Sequence, residues 1–147
     1  MINRDLIVHT TCILSCHFVL YYKASAFHWN VEGPSFVSLH KLFKDIYEDM
    51  NENIDVLGEK IRHIKGYPPN HLMDLLAASK ISTQRAAPTA TEMVGELEQD
   101  MKTLHACLMN AFREAEKVNN QALMNYFAER MDAAMKWAWQ LRAFNKS

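Results

Sequence analysis

The 147-residue chain balances 16 Lys and Arg against 17 Asp and Glu, so no global field of either sign draws it onto nucleic acid or anionic lipid. Four glycines and four prolines interrupt a composition that is 49% apolar with nine methionines, which favours long helices over strands. The length suits one domain spanning residues 1–147 with its own core.

Apolar periodicity near 3.6 runs first from about Leu6 to Trp29, ahead of the Gly33-Pro34 punctuation. Arg4, Asp5 and His9 near the start leave no apolar run with a cleavage site, so no signal peptide is expected, and no run is read as a membrane span. Cys12 and Cys16 share a helix face, and with Cys107 the count is odd, which fits free thiols in a reducing cytosol. A packing role is expected for them, because a metal needs further soft ligands close by. A second helical stretch, from about Ser35 to Lys65, is ended by Gly66-Tyr67-Pro68-Pro69. Asn70 is expected to cap a short helical piece through about Ala78, and Ser79 to Ala90 reads as a crossover linker. Thr89 and Glu92 form a capping box for a third long helix, with Met93, Leu97, Met101, Leu104, Leu108 and Phe112 on one face. Asn119-Asn120 separates it from a last helix over about Gln121–Phe144, with Leu123, Phe127, Met131, Ala134, Ala138 and Leu141 inward. The expectation is an all-α four-helix bundle with a short extra helix in a long crossover, which is the ferritin-like connectivity.

Chemistry concentrates on the second helix. Its apolar residues, among them Phe43, Ile46, Tyr47, Met50, Leu57 and Ile61, form a core seam, while His40, Lys44, Glu48, Asp55 and Glu59 fall on a second, polar stripe. Such a stripe alone is ordinarily a solvated face. His28 changes that reading, because a short connection makes the first two helices antiparallel neighbours and carries His28 toward His40. Paired imidazoles with carboxylates suit a first-row divalent metal such as iron. Yet His40 and Asp55 lie fifteen residues apart, roughly 22 Å along one helix, too far to share an ion. A two-fold dimer with an antiparallel copy of this helix crossing near Glu48–Glu52 places the partner's Asp55 and Glu59 beside His28 and His40, giving two equivalent intersubunit sites. No Glu-x-x-His pair occurs, which argues against a di-iron centre within one bundle.

The stretch Phe27-His28-Trp29-Asn30-Val31-Glu32-Gly33-Pro34-Ser35-Phe36, followed by Leu39-His40, Asp55 and Glu59, closely resembles the signature of the Dps mini-ferritins. Trp139-Gln140-Leu141-Arg142-Ala143 resembles the family's closing motif, so the likeness spans most of the chain. The resemblance implies a dodecameric shell built from two-fold dimers, ferroxidase activity preferring hydrogen peroxide, ferric mineral storage and protection against oxidative stress. It implies a cytoplasmic, nucleoid-associated location, iron ligands His28, His40, Asp55 and Glu59, and Trp29 and Asn30 beside the site.

Three departures stand out. Lys44 occupies the place where relatives usually carry an aspartate ligand, and Asp45 points about 100° away. At about 6 Å and a dielectric of about 20, its ammonium repels each unit of iron charge by roughly 3 kcal/mol, unless it swings to solvent or pairs with Glu48. One iron bound well and a second poorly is the expectation; the rival is a shell or DNA-associated structural protein whose ferroxidase activity Lys44 has weakened or abolished. Asn120 and Asn125 align where many relatives place acidic residues at the pores that admit iron, so ion steering should be weak. Direct DNA binding by a tail is not supported, since the termini offer only Arg4 and Lys146. Among other residues, His17 is expected to be a packed or interface histidine, and of Trp137 and Trp139 one should pack in the bundle and one at an interface.

Overall fold

A computed structural model describes residues 2–146, and its helices are α1 (Arg4–Asn30), α2 (Phe36–His63), α3 (Leu72–Ala77), α4 (Ala90–Lys117) and α5 (Gln121–Phe144). The four long helices match the periodic stretches of the sequence to within two residues at most ends. Asn3 caps α1 through Leu6 N, and Thr89 and Glu92 form the expected reciprocal box at α4, with bonds of 3.3 and 2.9 Å. Gly33 adopts φ +111° in the short turn between α1 and α2, a region that glycine enters without strain. Lys65 and Asn119, at φ 68° and 54°, close α2 and α4.

Asn70 does not cap α3. His71 occupies that position without a side-chain bond, and α3 is held by Leu75 and Leu76, half-buried against the core. Nor does the expectation about membrane spans hold by composition: α1 is long and apolar enough to cross a bilayer. Within the bundle that apolarity serves the core, because α1 packs on α2, α3 and α4 and also buries Thr10, Ser15, His17, Lys23 and Ser25. The buried hydroxyls of Thr10 and Ser25 return to the carbonyls of Leu6 and Tyr21 one turn back, each at 2.7 Å.

Leu6, Ile13, Leu20, Phe43, Ile46, Met50, Leu57, Leu97, Leu104, Leu108, Phe127 and Leu141 belong to one contiguous core. Lys23, buried on α1, reaches Asp100 of α4 at 2.8 Å and the Ser82 carbonyl of the crossover at 2.9 Å, pinning the crossover to the bundle. A second polar tie joins three helices. Arg130 of α5 grips Asp49 of α2 bidentately at 2.9 and 3.1 Å, Trp137 Nε1 donates to the same carboxylate at 2.8 Å, and Arg130 Nε donates to His17 Nε2 of α1 at 3.2 Å. His17 is fully buried, the packed histidine the sequence suggests, and Trp137 is the inward tryptophan while Trp139 stays exposed.

Burial pushes the Asp49 carboxyl up, but Arg130 and Trp137 outweigh it and hold the group below its ordinary range. Burial, and then the Arg130 charge, push His17 from 6.5 down to about 4. The folded ring therefore refuses a proton that the unfolded chain accepts, so its stability contribution is complete above pH 6.5 and is lost as pH falls toward 4. The loss over that window is about 3 kcal/mol. Urea unfolding at several pH values should show this slope in the wild-type chain and not in His17→Gln; an unchanged slope assigns it to another group.

Candidate metal centre

The Gly33 turn folds the end of α1 against the first turn of α2, and His28 and His40 meet there. His28 Nδ1 lies 2.5 Å from the His40 carbonyl oxygen, and His40 Nδ1 lies 2.7 Å from the His28 carbonyl oxygen. A carbonyl only accepts, so both Nδ1 atoms carry hydrogen and donate, and in each neutral ring Nε2 keeps its lone pair for a metal. The rings stack at 3.6 Å between centroids and 12° between planes. Phe36 stacks on His40 at 4.9 Å, and Tyr47 meets His28 edge-on at 5.4 Å. His28 is buried and His40 half-buried, so the pair sits at the rim of the bundle with its orientation fixed before any ligand arrives.

Asp55 and Glu59 lie farther along α2, one turn apart and exposed, beside a surface groove of about 350 Å³ lined also by Leu14, Phe18 and Leu75. Within one chain they do not join the histidines. Among the described residues, no ligand-competent group of three or more contains any of the four. Trp29 and Asn30 are both exposed next to His28, and Trp29 meets Tyr22 edge-on. Lys44 and Glu48 stand on the polar stripe between the two pairs, 3.8 Å apart and each half exposed, the pairing one turn on that the sequence allows. Asp45 turns the other way and pairs with Lys41 at 3.1 Å.

A family model described as ferritin-like domain matches residues 12–146. The chain is 32% identical to the DNA protection during starvation protein of Brevibacillus brevis, over 86% of this chain and 85% of that one. The chain belongs to the Dps family. Its fold superposes on the crystal structure of a Dps protein from Bacillus brevis with a TM-score of 0.94 and 29% identity, covering 99% and 100% of the two chains. Dps from Staphylococcus aureus gives 0.94 and 27%, over 99% and 98%. Similarity also extends to an uncharacterized low temperature-induced protein of Nostoc, 32% identical over 89% of this chain and 74% of that one. Relatives of the Dps family thus share the whole bundle and its crossover, and not merely a helical hairpin.

Two contributors to this Dps-family centre escape the sequence reading. Tyr47 counts there as core and Phe36 only as part of a motif, yet both bracket the imidazole pair. A signal existed: Phe36, His40 and Tyr47 are spaced by four and seven residues, which places them on one helix face. The cysteines are free and packed as expected, Cys16 in the core with Cys12 and Cys107 against it, and Cys107 of α4 also approaches Cys12 and Cys16 of α1, a proximity that the sequence does not show.

Proposed function

We propose that this chain, as a single ferritin-like unit, is the subunit of a cytoplasmic iron(II)-oxidising mini-ferritin that assembles from two-fold dimers into a dodecameric shell. The carrying observation is the reciprocal His28–His40 hydrogen bonding, which fixes both tautomers and leaves two nitrogen donors on a surface that one chain cannot complete. The partner's Asp55 and Glu59 supply hard oxygen donors, and nitrogen with oxygen suits iron(II). With hydrogen peroxide as oxidant, two iron(II) ions give up two electrons, the O–O bond breaks, and two protons complete two waters while two iron(III) ions form. The carboxylates favour the more highly charged ferric product, and the neutral imidazoles hold the ion without adding charge. Ferric product then passes to storage inside the shell, which keeps iron(II) and peroxide from reacting elsewhere in the cell.

Lys44 limits occupancy. Its ammonium, held by Glu48, replaces an acidic side chain with a positive one, so each site binds one iron tightly and a second weakly. Lys44→Asp should raise tight binding from one to two irons per site and speed oxidation by on the order of tenfold, the effect of about 1.4 kcal/mol on the barrier. Anaerobic iron(II) titration followed by peroxide addition, read by ferric absorbance, checks both. Two tight irons in the unmodified protein contradict the assignment of Lys44. No ferric absorbance from either protein favours the inert-shell reading.

A further inference from the structure

Away from the histidines, Cys12 and Cys16 on α1 and Cys107 on α4 bring three sulfur atoms within 4.8 Å of one another. No imidazole or carboxylate donor among the described residues lies within that distance of all three. Cys16 is fully buried, while Cys12 and Cys107 are half-buried and leave a way in from solvent. None is in a disulfide. The crossover folds over the cluster: the Lys80 backbone N–H donates to Cys16 Sγ at 3.4 Å, and Ser79 Oγ donates to the same sulfur at 3.9 Å. Such N–H and O–H donors to sulfur stabilise a thiolate that is poised to bind, as outer-shell donors do in thiolate metal sites.

We propose that these three cysteines form a second metal site, independent of the histidine centre, that takes a monovalent soft cation, copper(I). Softness and coordination number decide the choice. Three thiolates without nitrogen or oxygen donors select copper(I), zinc or an iron–sulfur cluster. Zinc in a closed structural site takes four protein ligands, and cubane or rhombic clusters take four cysteines, whereas this cluster offers three donors. Copper(I) accepts three sulfurs without a fourth ligand. Bonds of about 2.3 Å to a thiolate require the sulfurs to stand about 4 Å apart, so the cluster needs only a small contraction around the ion. The two α1 cysteines are one turn apart, and Cys107 closes the triangle from the neighbouring helix, so binding also staples α1 to α4.

The test uses the full-length assembly, reduced and anaerobic, titrated with copper(I) against a chromogenic chelator. The expected result is one copper(I) per chain, sulfur-to-copper charge-transfer absorption in the ultraviolet, and X-ray absorption showing three sulfur neighbours. Bound copper(I) should shield the thiols from alkylation. Cys107→Ser, at a half-buried position that tolerates the change, should weaken binding by at least the roughly 100-fold upper range known for outer-shell changes, since it removes a ligand itself. His28→Ala/His40→Ala should bind copper(I) as the wild-type protein does. Nitrogen neighbours in the absorption spectrum, unchanged affinity in Cys107→Ser, or uptake of zinc with no uptake of copper(I) would each overturn the assignment.

Discussion

Two inactive variants should restore one another. A chain with His28→Ala/His40→Ala lacks the nitrogen donors, and a chain with Asp55→Ala/Glu59→Ala lacks the carboxylates; each alone is expected to lose peroxide-driven iron oxidation. Co-assembly from equal amounts should recover about a quarter of the sites, because half the two-fold dimers pair unlike chains and each such dimer rebuilds one intact site of its two. The recovered site takes its imidazoles from the carboxylate-deficient chain and its carboxylates from the imidazole-deficient one. Asp55 and Glu59 are exposed in the single chain, so their replacement leaves the fold undisturbed and isolates the chemistry. Native mass measurement establishes that mixed assemblies are present, and ferric absorbance after anaerobic loading reads the recovery. Mixed assemblies that stay silent would show that the two halves do not meet across the two-fold axis.

The second large effect concerns stability. Arg130→Met removes both guanidinium bonds to Asp49 and leaves a largely buried carboxylate with only the neutral donors Trp137 and Asn53. Breaking one member of a buried pair costs about 3 kcal/mol or more, since the remaining charge loses its compensation. For a chain of this size the midpoint of thermal unfolding should fall by on the order of 10 °C. The double variant Asp49→Leu/Arg130→Met should recover part of that loss, because no unpaired charge remains, although Trp137 Nε1 and His17 Nε2 lose their partners. Calorimetry on the wild type, the single variant and the double variant separates the two contributions. A single variant as stable as the wild type would show that the tie orients α2, α5 and α1 without stabilising them.

The contrast between what the sequence discloses and what it conceals follows from periodicity. Residues such as Phe43, Ile46, Met50 and Leu57 repeat at helical spacing, so the seam of α2 is readable without any knowledge of its neighbours. The His28–His40 approach is readable for a similar reason, because a turn of five residues between two helices leaves little choice of geometry. Asp49 and Arg130 are hidden: they are 81 residues apart, and each taken alone looks like a surface charge on an amphipathic helix. The cysteine triangle is hidden because it depends on how α4 is rotated against α1, which no local pattern encodes. The start of α3 is hidden because Leu72–Ala77 is apolar at nearly every position, which leaves no periodicity to fix the first turn.

Helix α2 is a rod that presents imidazole at one tip and carboxylate toward the other, about 22 Å apart by helical rise. A lone protomer, newly released from the ribosome or shed from a shell, therefore carries two half-complements that cannot reach each other. On the function proposed above, oxidation would be switched on by pairing itself, so ferric ions would be made at assembled two-fold junctions and not on stray protomers.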